Sequence, residues 1–307
     1  MLSANGRGSG QVFSFDQVFN MKSTQEDVYK EVSELVQSSL DGYKVCIFSY
    51  GQTGSGKTHT MSGERTGSAR GIIPRAVEQI ISQVIVMAED GWEVTLSVAM
   101  VELYNEELRD LLSKESHSSV GKLKISTLNN QVSVAGLSSV EINASNLSIG
   151  MRQLEALLDQ AARTRTTACT GMNETSSRSH ALFMLDILCK HRDGSTVMNG
   201  GLRLVDLAGS ERLDRTGTLS DSTRLKETVN INKSLSCLAD VFLALNNKDK
   251  HVPFRNSKLT MMLQDCLSGD GKALMFVNVS PTAASSQESL CSLRFATQVT
   301  PSPAPLP

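Results

Sequence analysis

The chain has 307 residues, 40% of them hydrophobic, with a formal net charge of −2. This is enough apolar material for one large α/β domain with a full core, and the charge balance argues against a nucleic-acid partner. No apolar run approaches the roughly 20 residues that cross a bilayer, and the opening MLSANGRGSG has no signal-peptide apolar region, so a soluble intracellular protein without a membrane partner is expected. Six dispersed cysteines without C-x-x-C pairs and five histidines without metal-binding spacing are expected to be reduced thiols and ordinary imidazoles.

In chain order, Val45 to Phe48 is a β-prone run that leads into the glycine-rich stretch SYGQTGSGKTHTM. Residues 75–88 have helical apolar spacing, and WEVTLSVAMVEL (92–103) alternates as a strand. Asn105 to Leu112 reads as a turn and short helix, and 122–142 as several short strands. A helix is expected over 154–162, and strands over 181–189 and 202–207, the latter containing Asp206. Ile231, Leu235, Leu238, Phe242 and Leu245 recur at helical spacing. A buried strand at 273–279 and a helix at 287–299 follow. Alternating strands and helices predict an α/β fold with a mostly parallel central sheet flanked by helices on both faces. Residues 1–299 would form this domain, and TPSPAPLP (300–307) a disordered tail.

Gly51 to Thr58 fits G-x-x-x-x-G-K-[ST], a loop whose backbone N–H groups cradle phosphates. Gly51, Gln52, Thr53, Gly54, Ser55 and Gly56 would form the cradle. Lys57 would neutralise the β and γ phosphates, and Thr58 would offer its hydroxyl to Mg²⁺. The preceding strand separates this pattern from a chance glycine turn. LVDLAG supplies a D-x-x-G: Asp206 to hold the metal through water, and Gly209 to meet the γ-phosphate by its N–H. NETSSRSH (173–180) could be a solvated polar connection, but its lone cation Arg178 and Glu211 beyond the D-x-x-G could latch two loops over the γ-phosphate. Neither loop offers a general base, which suits phosphoryl transfer, where positioning and charge stabilisation carry the reaction. Between Arg224 and Lys258, seven Lys/Arg stand against three acids, a basic region suited to a polyanionic partner.

These stretches resemble the kinesin motor family. SYGQTGSGKTHTM is similar to its phosphate loop, NETSSRSH to its first switch and LVDLAGSE to its second. NINKSL and HVPFRNSKLT resemble its microtubule-facing helix and loop, and VELYNEELRDLL, MFVNVSP and LRFA follow in the family's order over residues 12–299. The resemblance implies a Mg²⁺-dependent, microtubule-stimulated ATPase, with ATP and Mg²⁺ as cofactors and microtubules as partner. By position, Ser177 would help hold Mg²⁺ and place the attacking water, Arg178 and Glu211 would form the salt bridge of the hydrolysis-competent state, and His59 would lie near adenine. Asn232 would couple the second switch to the track, and Lys226, Lys233, Arg255 and Lys258 would contact acidic tubulin. NETSSRSHALF, RLKETVNINKSLSCLADVFLAL and NSKLTMMLQD are most similar to the minus-end-directed, C-terminal-motor branch, kinesin-14. That implies localisation in the cytoplasm on microtubules, including the spindle, and a homodimer formed through a coiled coil outside this chain.

Two departures set further expectations. The family's opening strand with its R-x-R-P motif has no counterpart, the first proline being Pro74. The phosphate-loop strand is therefore expected to lack a neighbour and the adenine pocket to be incomplete, which keeps open a microtubule-binding module with weak or lost turnover. LDRTGTLSDST (213–223) also differs from the family's shorter glycine-rich loop. A GTPase reading fails because NNKD (246–249) has the wrong spacing for N-K-x-D.

Overall fold

The computed structural model describes residues 11–64, 66–113, 123–128, 131–167, 175–211 and 222–299, without the side chains of 167, 175–176 and 222–228. Its strands are β1 Lys44–Tyr50, β2 Trp92–Tyr104, β3 Glu107–Asp110, β4 Lys124–Leu128, β5 Gln131–Ala135, β6 Val140–Ile142, β7 Ser179–His191, β8 Val197–Asp206 and β9 Lys272–Val277. The helices are α1 Gln25–Lys30, α2 Ser33–Leu40, α3 Lys57–Met61, α4 Ile72–Glu89, α5 Leu147–Thr167, α6 Ser222–Asn246, α7 Lys258–Met262, α8 Gln264–Leu267 and α9 Ser286–Val299.

Successive β1 side chains leave on opposite faces, and both faces are covered. Val45 and Ile47 join a core with α2, α4 and α5, while Cys46, Phe48 and Tyr50 join a second with α6, α7 and α8. Phe48 meets Phe242 of α6 edge-on at 5.9 Å, and Tyr50 stacks on Phe295 of α9 at 4.2 Å. A strand buried on both sides needs a near-continuous apolar run, which is what KVCIFSY supplies.

The main sheet runs β3-β2-β7-β8-β1-β9, with β6 also on β2. The α/β class with helices on both faces stands, but the sheet is mixed rather than mostly parallel. Only β1 pairs in parallel, with β8 and β9, while β2–β3, β2–β6, β2–β7 and β7–β8 are antiparallel. The reason is connection length. Residues 192–196 between β7 and β8 are too few for a parallel crossover, so the chain must fold back as a hairpin.

The helix expected over 105–112 is likewise replaced by a turn and β3. Asn105 and Glu106 take φ 52° and 60°, the two left-handed positions of a tight hairpin turn, and this reverses the chain at once. The expectation about the phosphate-loop strand is also corrected: β1 has β8 on one side and β9 on the other. Among the described residues the sheet ends at β3 on one side and β9 on the other, and beside β9 Phe19 lies 6.2 Å from Phe276.

Ile47 is fully buried between two strand neighbours. Ile47→Ala should cost about 2–5 kcal/mol and Ile47→Val about 1 kcal/mol, read as shifts in the urea unfolding midpoint. Equal, negligible shifts would contradict the placement of β1 at the centre.

Candidate functional site

The loop after β1 is built by glycines. Gly51, Gly54 and Gly56 take φ 152°, 76° and 101°, and a Cβ on Gly51 would lie 2.1 Å from the Asn278 carbonyl oxygen. No other residue fits there. α3 begins at Lys57, whose side chain folds back so that Nζ donates to the carbonyls of Gly51 at 2.9 Å and Gln52 at 2.8 Å. Burial pushes the Lys57 amine below its usual range, opposed by the charges of Asp206 and Glu211. A largely desolvated ammonium ringed by backbone dipoles is suited to a phosphate anion.

Parallel pairing of β1 with β8 sets Ser49 opposite Asp206. The Asp206 carboxylate accepts from the Thr58 hydroxyl at 2.5 Å and the Ser49 hydroxyl at 3.2 Å. A carboxylate and hydroxyls converging beside a phosphate cradle form the hard-oxygen set that fits Mg²⁺.

The two further loops close on the same edge. The Gly209 N–H donates to the Ser177 carbonyl at 2.8 Å, and the Ser210 N–H to the Gly51 carbonyl at 3.1 Å. Both Glu211 carboxylate oxygens are held by Thr53, one by its N–H at 2.8 Å and one by its hydroxyl at 2.5 Å. A Cβ on Gly209 would fall 2.3 Å from the Glu211 carboxylate and 2.4 Å from the Thr53 hydroxyl, so any larger residue would displace the Glu211–Thr53 contact. Arg178 lines a small cleft with Asn105, Glu106, His180, Asn230 and Ser234. Gly51, Ser177, Gly209 and Ser210 are thus joined by backbone hydrogen bonds, Thr58 by its hydroxyl to Asp206, and Thr53 to Glu211. The carboxylate expected to meet Arg178 is held by Thr53 instead, and Asn173 and Glu174 lie outside the described residues.

The model of the kinesin motor domain family matches residues 2–301. The chain is a kinesin motor domain. It is 50% identical over 299 residues to the kinesin-like protein KIN-14D of Arabidopsis thaliana, covering 95% of this chain and 38% of that protein. It is 48% identical over 291 residues to the kinesin-like protein klpA of Emericella nidulans, covering 94% of this chain and 36% of klpA. The chain thus spans well under half the length of these relatives. Among solved structures, the motor domain of the kinesin-related protein Kar3 from Saccharomyces cerevisiae matches with TM-score 0.80 and 43% identity, covering 94% of this chain and 84% of that one. The family binds nucleotide, in keeping with the loop geometry.

Three features of this kinesin domain were not drawn from sequence. Glu102, 1% exposed, accepts from Arg109 at 2.9 Å, Arg165 at 3.2 Å and the Ser179 hydroxyl at 2.7 Å. It ties the last turn of α5 and the first residue of β7, the two ends of the first-switch segment, to β2. His180, 3% exposed, accepts from the Ala208 N–H on Nδ1 at 3.0 Å, and its Nε2 lies 2.7 Å from the Ser234 hydroxyl. Burial, with Lys57 adding, lowers the His180 pKa to about 3. Glu106 accepts from the Ser257 hydroxyl at 3.0 Å and the Lys258 N–H at 2.9 Å, and Asn105 accepts from the Asn230 amide, so one turn clasps both α7 and α6. A glutamate in the otherwise apolar run Val98–Leu103 is the signal that could have exposed Glu102.

In the basic region, Lys233 and Arg255 are exposed, and Asn232 and Lys258 are half-buried. Lys226 belongs to α6, and its side chain lies outside the described residues, as does most of 213–223. His59 is exposed on α3, its carbonyl accepting from Gln25 at 2.6 Å.

Glu102→Ala leaves two arginines and a hydroxyl without their common acceptor. It should cost about 3–5 kcal/mol in urea unfolding, and a loss below about 1 kcal/mol would contradict the hub. His180 is held neutral in the fold but titrates near 6.5 when unfolded. The unfolded chain therefore binds the extra proton, and this contribution, complete above about pH 6.5, is lost as pH falls toward about 3, by up to roughly 1.4 kcal/mol per pH unit. Stability measured between pH 7 and 5 should fall less steeply in His180→Asn; identical slopes would contradict the assignment.

Proposed function

We propose that this kinesin motor domain hydrolyses ATP with Mg²⁺, that microtubules stimulate the turnover, and that the work drives movement toward the microtubule minus end. The observation that carries the reading is the convergence of the phosphate loop, Asp206 beside Thr58, and the Gly209–Ser177 contact at one sheet edge. The likeness to KIN-14 and Kar3 kinesins supports the direction. The same likeness supports a place on cytoplasmic and spindle microtubules and pairing of the full-length protein through a coiled coil.

In this reading Lys57 turns from the Gly51 and Gln52 carbonyls to the β and γ phosphates. Thr58 and Ser177, with Asp206 through water, would hold Mg²⁺, which would neutralise charge developing on the phosphate oxygens. The Gly209 N–H exchanges the Ser177 carbonyl for the γ-phosphate. Glu211 exchanges Thr53 for Arg178, closing the two loops around the attacking water that Ser177 orients. His59 borders the adenine. Asn232 couples the second switch to the track, with Lys226, Lys233, Arg255 and Lys258 facing acidic tubulin. Lys57, Thr58, Asp206 and Gly209 lie around one loop edge where these exchanges can occur, which favours turnover over a passive microtubule-binding module.

Steady-state phosphate release should rise at least about tenfold on adding microtubules; co-sedimentation with the polymer and no rise would overturn the motor reading. Arg178→Ala and Glu211→Ala should each slow turnover by about 10²-fold or more, in line with losing one charge-stabilising group, while retaining ATP binding. Lys57→Ala should instead lose nucleotide affinity itself, measured with a fluorescent ATP analogue. Unchanged turnover in both loop variants would remove the latch from the mechanism.

A further inference from the structure

We propose that His180 is a positioning residue that couples the γ-phosphate loop to the basic helix α6 through one hydrogen-bond chain, Ala208 to His180 to Ser234 to Ile231. The donors fix a single direction. The Ala208 N–H can only donate, so Nδ1 accepts and the imidazole proton sits on Nε2. Nε2–H then donates to the Ser234 oxygen at 2.7 Å, which leaves the Ser234 hydroxyl to donate to the Ile231 carbonyl at 2.7 Å. Every link is satisfied in one tautomer, and a second proton on the ring would break the Ala208 contact. Burial keeps the ring neutral.

The geometry suits transmission better than simple filling of space. Ala208 immediately precedes Gly209, whose N–H meets Ser177, so a rearrangement at the phosphate moves the Ala208 N–H with it. His180 is a rigid ring with both nitrogens engaged, and it is the last residue of the first-switch stretch and the second of β7. Ser234 is buried on α6 beside exposed Lys233. A displacement of the second-switch loop must therefore break one of two bonds or carry α6, and with it the basic face, along. Asn230, one turn earlier, holds the same helix to the Asn105 turn and supplies the fixed end against which α6 can pivot.

The inference rests on the reading of an ATP- and microtubule-binding motor, and coupling of this kind is reciprocal between the two sites. The measurement is microtubule affinity with ADP and with a non-hydrolysable ATP analogue, in wild type, Ser234→Ala, His180→Asn and the double variant. Asn at 180 can still accept from Ala208 but is too short to reach Ser234. Wild type should bind at least about tenfold tighter in one nucleotide state than the other, within the usual range of coupling factors. Ser234→Ala and His180→Asn should each cut that ratio by about fivefold or more, and the double variant by no more than either, because both break one link. Unchanged ADP affinity of Ser234→Ala shows that the nucleotide site is folded. A retained ratio in Ser234→Ala overturns the relay, as does a uniform weakening of both affinities, which is what a purely structural role would give. A ratio of one in wild type overturns the motor reading itself, and the relay with it.

Discussion

The pairing of β1 with β8 in parallel, with Ser49 opposite Asp206, is the constraint on which the rest of the site depends. Parallel strands end at the same edge of a sheet, so the chain must present the loop after β1 and the loop after β8 side by side. β9 adds a third strand in the same direction, and Asn278 just beyond it donates its N–H to the Tyr50 carbonyl at 2.7 Å and its amide to Thr60 at 2.9 Å. The antiparallel strands complete the edge from the other direction. β7 begins where β8 ends, and β2 ends beside that start, with Leu103 opposite His180. A mixed sheet thus collects the phosphate loop, the Asp206 carboxylate and the loops around Ser177 and Gly209 at one rim.

At that rim, groups assigned to the nucleotide and to the loop latch already have protein partners. Lys57 is held by two carbonyls, Gly209 by Ser177 and Glu211 by Thr53. An anionic ligand can replace the carbonyl acceptors of Lys57 and Gly209, and the Arg178 guanidinium can replace Thr53 at Glu211. Because the same groups bridge different loops, such an exchange changes how the loops touch one another. Glu102 holds Arg165 ahead of the Ser177 loop and Ser179 within it, while His180 and the Asn105–Glu106 turn tie the rim to α6 and α7.

What could be read from sequence was local. The phosphate loop, the D-x-x-G and the basic helix announce themselves within a few residues, since glycine placement, a terminal aspartate and helical spacing need no knowledge of pairing. Features that depend on which strand lies beside which were read less well. A short connection made β7 and β8 a hairpin and the sheet mixed. Two left-handed residues turned an expected helix into β3. An open edge was expected at β1, but β1 is interior and the edges are β3 and β9, because position in the sheet follows pairing rather than chain order. Glu102 and His180 matter through partners 63 and 54 residues away, Arg165 and Ser234.

The register that places Asp206 against Thr58 is tested most directly by the Mg²⁺ dependence of ATP affinity in wild type and Asp206→Asn. A carboxylate holding the metal beside the phosphate cradle predicts that wild type binds a fluorescent ATP analogue at least about tenfold more tightly with Mg²⁺ than with excess chelator. It predicts that most of this gain disappears in Asp206→Asn, while the weak Mg²⁺-free affinity stays. The same gain in both proteins would contradict the assignment of Asp206 and, with it, the β1–β8 register as the source of the site.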